Sequence, residues 1–256
     1  MNTPFYTSFI RFDANVANFL NGLLHSYGQI LTPIALFFDV VGEVGALGII
    51  VGLILCLFAK TRRMGVCMLF SIALGALATN IILKDLIARP RPFEAYEVFK
   101  NWWIEAGSHE QGGYSFPSGH VTSAASAAFG FCAAYFASGL TAFRQVPVPL
   151  NIGKKKLRKS PALLPRKRLS VGLSVLAVLC ALIYVFVMAF SRCYIVVHYA
   201  SDTVAGMIIG LVCAPLGLLL TVGLYRFFAD DPYTPSSQRF LHGEVFPFMR
   251  RKKDRA

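Results

Sequence analysis

Charge is what this sequence has least of. Asp, Glu, Lys and Arg make up 15% of its 256 residues, where an ordinary soluble domain carries about a quarter, and that deficit excludes a soluble enzyme. The six cysteines, at 56, 67, 132, 180, 193 and 213, show no paired spacing, which excludes a disulfide framework or a zinc site. Most sit in apolar runs, where cysteine behaves as a small hydrophobe. There is no HExxH, no paired-carboxylate motif and no glycine-rich nucleotide loop, so the usual sequence marks of metal-assisted or nucleotide-dependent chemistry are missing. No basic stretch leads into a short apolar core at the N-terminus, and no cleaved signal peptide is expected.

What fills the chain is apolar: 55% of the residues, gathered in blocks of about 20, the length a helix needs to cross a bilayer core. The expected fold is all-α, a polytopic transmembrane helical bundle forming one membrane domain over 1–256. Five spans are expected at 40–59, 64–83, 121–140, 170–190 and 203–224, with Pro215 interrupting the last. Residues 14–38 form either an interfacial helix or a sixth span. Val16, Leu20, Leu23 and Tyr27 recur at helical spacing opposite Asn15, Asn18 and His25, a pattern that favours a helix lying in the interface.

Orientation follows from the basic residues. Nineteen of the 25 Lys and Arg fall in 60–63, in an acid-free segment at 141–169, and in the 226–256 tail. By the positive-inside rule these connections are cytoplasmic. The net charge of +12 therefore reads as a topology determinant touching anionic headgroups, and no nucleic-acid partner is expected.

Of the six remaining cations, all but Arg11 and Lys100 fall in the three polar clusters of the opposite side. Lys84 and Arg91 lie seven residues apart, about two helical turns, ahead of a stop at Pro90 and Pro92. Pro117-Ser118-Gly119-His120 precedes the third span: Ser118 suits an N-cap, Gly119 admits a ligand to the backbone, and free amides at a helix start attract anions. Ser191-Arg192 is followed by His198 and, four residues on, Asp202. That spacing puts imidazole and carboxylate on one helical face, where the carboxylate fixes the tautomer and leaves the other nitrogen free. Alternating spans bring all three clusters to one end of the bundle. Three cations, a helix N-terminus and two histidines suit an anion with several oxygens and repel a divalent metal, so the chemistry that fits is metal-free phosphoryl transfer through a histidine, with no cofactor.

Together, Lys-x6-Arg-Pro at 84–92, Pro-Ser-Gly-His at 117–120 and Ser-Arg-x5-His-x3-Asp at 191–202 resemble the three-part signature of the type-2 phosphatidic acid phosphatase superfamily. The resemblance implies His198 as nucleophile, Asp202 orienting it, and His120 as general acid. It implies Lys84, Arg91, Ser118, Gly119 and Arg192 as the groups that hold the phosphoryl oxygens. Arg89 is an extra cation outside the signature, steering substrate or snorkelling. Seven aromatic residues between 93 and 116 read as an interfacial belt or a lid over a lipid tail. The implied substrate is a lipid phosphate or diphosphate at the outer face of a bacterial plasma membrane. Undecaprenyl diphosphate is the first choice, with phosphatidate and phosphatidylglycerol phosphate as competitors.

Overall fold

The computed structural model describes residues 4–137 and 170–230, and all the regular elements among them are helical. The basic 141–169 segment, the 231–256 part of the tail and the last three residues of the 121–140 span lie outside the described residues. Helix α1 spans Pro4–Gly42 and α2 spans Ala46–Leu57. Helix α3 (Arg62–Ala76) continues through a π-helical segment, Leu77–Leu83, into the single turn α4 (Lys84–Ile87). Two short helices follow, α5 (Pro92–Ala95) and α6 (Glu97–Glu105), then α7 (Gly119–Ala137), α8 (Val171–Tyr194) and α9 (Ala200–Asp230).

Helix α7 is the axis of the bundle, packed against α9, α3 and α8. Its side chains are small for that reason: Ala124, Ala125, Ala127, Ala128, Ser126 and Gly130 are all buried. Membrane helices gain little from burying large apolar groups against one another, so close backbone packing of small residues holds them together. Gly210 of α9 shows the limit, since a Cβ there would lie 2.4 Å from that of Ala125. Large apolar side chains point outward instead, among them Ile81, Leu182, Phe186, Ile208 and Leu219.

Among the described residues, three helical stretches are long and apolar enough to cross a membrane: Arg62–Ala95, Val171–Tyr194 and Ala200–Phe228. They account for the expected spans at 64–83, 170–190 and 203–224, and α9 runs on through Pro215. The other two expected spans differ. The 40–59 block is cut by a 3-10 turn, Glu43–Gly45, where Gly45 takes the left-handed conformation at φ +74°. The 12 residues of α2 reach about 18 Å, well short of a bilayer core. Helix α7 misses on hydropathy, because the alanines and serines that let it sit at the bundle centre are only weakly apolar.

The 14–38 segment lies within the 39 residues of α1, which bends at Tyr27 and carries Pro33 inside it. Tyr27, expected on the apolar side, is exposed at this bend, while Leu20 and Leu24 are buried. The second half of α1 docks along α8: Ser191 donates to the Ala35 carbonyl at 2.7 Å, and the Thr32 and Tyr194 hydroxyls meet at 2.9 Å. This docking brings two α1 carboxylates, Asp13 and Asp39, into the polar end of the bundle.

Candidate active site

The three clusters meet at one end of the bundle, where α3–α4 finishes, α7 starts, α8 finishes and α9 starts. The backbone ties them directly: Ser118 N–H donates to the Asp202 carbonyl at 3.1 Å, and Arg91 Nη1 to the Val197 carbonyl at 3.0 Å. Bare backbone at Gly119 faces Asn80 and Lys84, since a Cβ there would stand 3.2 Å from Asn80 Oδ1 and 3.9 Å from Lys84 Nζ.

His198 is buried in the turn between α8 and α9, ahead of the first residue of α9. The expected shared helical face is therefore replaced by a helix-entry turn, in which Asp202 Oδ2 accepts the Tyr199 N–H at 2.9 Å. His198 Nδ1 lies 2.7 Å from the Ser115 carbonyl and 3.6 Å from Asp202 Oδ2. A carbonyl only accepts, so Nδ1 carries the proton and the lone pair is on Nε2. Burial, then the charges of Arg91 and Arg192, then His120 and Lys84, pushes the His198 pKa well below the ordinary imidazole value. The ring is neutral, with a nucleophilic nitrogen.

Asp202 is fully buried and saturated. It accepts from Arg89 Nη1 at 2.6 Å, and from the Ser115 hydroxyl and the Tyr199 amide. Arg89 is neither a steering nor a snorkelling cation. It is buried, donates to Asp13 Oδ2 at 2.7 Å and Ser201 Oγ at 2.8 Å, and stacks its guanidinium 3.7 Å from the centre of the Tyr199 ring. Ser201 closes the network by donating its N–H and hydroxyl to Asp13, both at 2.8 Å. Sequence reading missed Asp13, whose partners lie 76 and 188 residues away. It also missed Ser115, whose part in orienting His198 is a backbone carbonyl that leaves no side-chain signature.

Lys84 and Arg91 do not share a helical face. The helix ends at Ile87 with Ala88 in the left-handed conformation, and Arg91 is extended at φ −73°, ψ 156°. Pro90 and Pro92 disfavour helix in the residues before them, so the chain leaves α4 early. Arg91 reaches the site from this strap and pins it, donating to the carbonyls of Gly112 at 2.8 Å, Gly113 at 3.0 Å and Val197.

The aromatic segment divides in two. Phe93 and Trp103 stack at 4.9 Å and pack on the cluster of Leu24, Ala35, Tyr194, Ile195 and Val197, whereas Tyr96 and Tyr114 are exposed.

Among the described residues, the buried polar atoms without a hydrogen-bond partner include four from the signature segments: Ser118 Oγ, His120 Nε2, and Nε and Nη2 of Arg192. Ser118 occupies the N-cap position of α7, yet its hydroxyl caps nothing; its carbonyl instead takes the Thr122 N–H and hydroxyl, both at 2.9 Å. Arg192 is fully buried, and its Nη1 donates to Asp39 Oδ1. Its Nε and Nη2 form the edge of the guanidinium that grips two oxygens of one anion. Asp39 is the second carboxylate that sequence reading missed. Its signal was present, a lone ionisable residue in the apolar run 34–41.

A model of the PAP2 superfamily matches residues 64–226, well over half of the chain. Among solved structures, the crystal structure of a transmembrane PAP2-type phosphatidylglycerolphosphate phosphatase from Bacillus subtilis is similar at 20% identity and a TM-score of 0.44, over 90% of this chain and 97% of that one. No curated protein matches the chain. With all three signature segments inside the matched region and gathered at one end of an all-helical membrane protein, the chain belongs to the PAP2 superfamily.

Proposed function

We propose that this protein is a membrane phosphatase that hydrolyses a lipid phosphate or diphosphate without metal, through a phosphohistidine at His198. The observation that carries this reading is the unpartnered Nε/Nη2 edge of Arg192, buried beside an idle Ser118 hydroxyl and His120 Nε2. Burying donors without acceptors costs free energy, about 1–3 kcal/mol each. A phosphoryl group offers the oxygens that satisfy them, and donors fixed in advance around developing negative charge are often the largest catalytic contribution. Lys84 and the first amides of α7 extend the same cradle at Gly119.

The neutral His198 supplies the nucleophile. Its Nε2 lone pair attacks phosphorus, a P–N bond forms as the P–O bond to the leaving group breaks, and His120 gives a proton to the departing oxygen. Water then attacks phosphorus, the P–N bond breaks, and His120 recovers a proton from that water. Asp202 holds the catalytic turn through Tyr199, Ser115 and Arg89.

Reading α7 and the bent α1–α2 pair as crossings beside the three long apolar stretches supports a site on the face opposite the one expected for the basic segments. In a bacterial plasma membrane that is the extracytoplasmic face, at headgroup level. There the preferred substrate is undecaprenyl diphosphate, with phosphatidate and phosphatidylglycerol phosphate next. Purified protein in detergent with EDTA should release phosphate from at least one of these three lipids, and His198→Ala should release none. Equal release by His198→Ala, or dependence on added metal, would refute the mechanism.

A further inference from the structure

The α1 carboxylate Asp39 is buried against the reaction centre without belonging to any of the three signature segments. Its Oδ1 accepts from Arg192 Nη1 and from Gln111 Nε2 at 3.3 Å, and stands 4.0 Å from His120 Nε2. The groups that bear on His120 come from several elements: Lys84 from α4, Arg91 from the strap, His198 from the α8–α9 turn, and Asp39, itself held by Arg192 of α8, from α1. Burial, then the charges of Lys84 and Arg91, pushes the His120 pKa down to about 4. Asp39 is the carboxylate within ion-pair reach of that ring, and its charge opposes them. A general acid is useful only while it holds its proton.

We propose that Asp39 is a positioning residue that strengthens the hold of His120 on the proton it delivers to the leaving oxygen. This deepens the phosphatase reading and rests on it. The geometry also separates two tasks of Asp39. An asparagine keeps an oxygen for Arg192 Nη1, so Asp39→Asn removes the charge felt by His120 and spares the hydrogen bond that aims the guanidinium.

The test compares wild type, Asp39→Asn and Asp39→Glu on two phosphate monoesters. One is a short-chain phosphatidate, whose alkoxide leaving group needs a proton, and the other is p-nitrophenyl phosphate, whose leaving group does not. For Asp39→Asn, kcat/KM on phosphatidate should fall about 100-fold, the lower end of what a general acid contributes, with little change on p-nitrophenyl phosphate. The basic limb of its pH profile should move to lower pH, because an imidazolium without its anion loses the proton sooner. Asp39→Glu should restore both readings toward wild type. If the asparagine protein does not fold, the smaller neutral Asp39→Ser takes its place. Equal losses on the two esters with an unmoved basic limb would overturn the inference alone. A wild type inactive on both esters and on undecaprenyl diphosphate and phosphatidylglycerol phosphate would overturn the phosphatase reading, and this inference with it.

Discussion

Two buried arginines stand at the same end of the molecule, each on a carboxylate from α1, and they are in opposite states. Arg89 is saturated: Asp13, Asp202 and Ser201 take its hydrogen bonds, and Tyr199 covers its face. Arg192 holds Asp39 through Nη1 and leaves Nε and Nη2 without a partner. A saturated buried cation fixes structure, because nothing remains with which it could bind. A buried cation with one bidentate edge idle is suited to bind, because an incoming anion completes it. Under the proposed mechanism the contrast gives Arg89 the task of building the turn that carries His198, and Arg192 a part in the reaction.

Exchanging the two functions should fail in two different ways. The largest effect on turnover among arginine variants is expected from Arg192→Lys. Lysine keeps a positive charge for Asp39 but has no planar edge, so kcat should fall about 10²–10³-fold, as for loss of one oxyanion donor. Thermal unfolding in detergent should move little; a large loss of melting temperature with kcat preserved would reverse the assignment. Arg89→Leu should show the opposite profile. It strands Asp13 and Asp202 as buried uncompensated charges and should destabilise the fold by about 3–5 kcal/mol, read as a lowered melting temperature and poor recovery. A stable Arg89→Leu protein would show that the network is not structural.

A smaller effect sharpens the view of His198 as a neutral nucleophile. Its pKa lies well below the ordinary value in the folded state, while the unfolded chain protonates near pH 6.5. Below that pH the unfolded state binds a proton that the folded state refuses, so stability falls as pH drops from about 6.5. Above it the group has no effect on stability. Melting temperatures measured across this range should fall toward acid in wild type and fall less steeply in His198→Gln. Identical slopes would mean that His198 is not held neutral.

The site was legible in the sequence wherever short spacing and chemistry coincide. Lys84, Arg91, Ser118, Gly119, His120, Arg192, His198 and Asp202 could all be named as candidates, and the fold brings them to one end of the bundle. What could not be read is how each is used. Spacing along one helix suggested that Asp202 orients His198, but the chain turns between them, and the Ser115 carbonyl accepts the Nδ1–H hydrogen bond while Asp202 Oδ2 stands 3.6 Å away. Arg91 matches the pattern yet gives three donors to backbone carbonyls. Arg89 lies outside the pattern and holds the turn together. Asp39 carried a local signal as a lone ionisable residue in an apolar run, but nothing local marked either α1 carboxylate as the partner of a residue more than 150 positions away. The fold was legible where apolar length decides it, over the stretches that contain α3, α8 and α9. It was obscured where small residues serve packing, in α7, or where Glu43–Gly45 breaks an apolar block.

The central claim is a covalent bond between His198 Nε2 and phosphorus, and trapping it is the most direct measurement. A lipid substrate labelled with radioactive phosphorus in its terminal phosphoryl group is mixed with enzyme and quenched within milliseconds, and the labelled peptide is mapped. The label should be stable in alkali and lost in acid, carried on the peptide that contains His198 and absent from His198→Ala. Label on another residue, or steady turnover by His198→Ala, would contradict the claim.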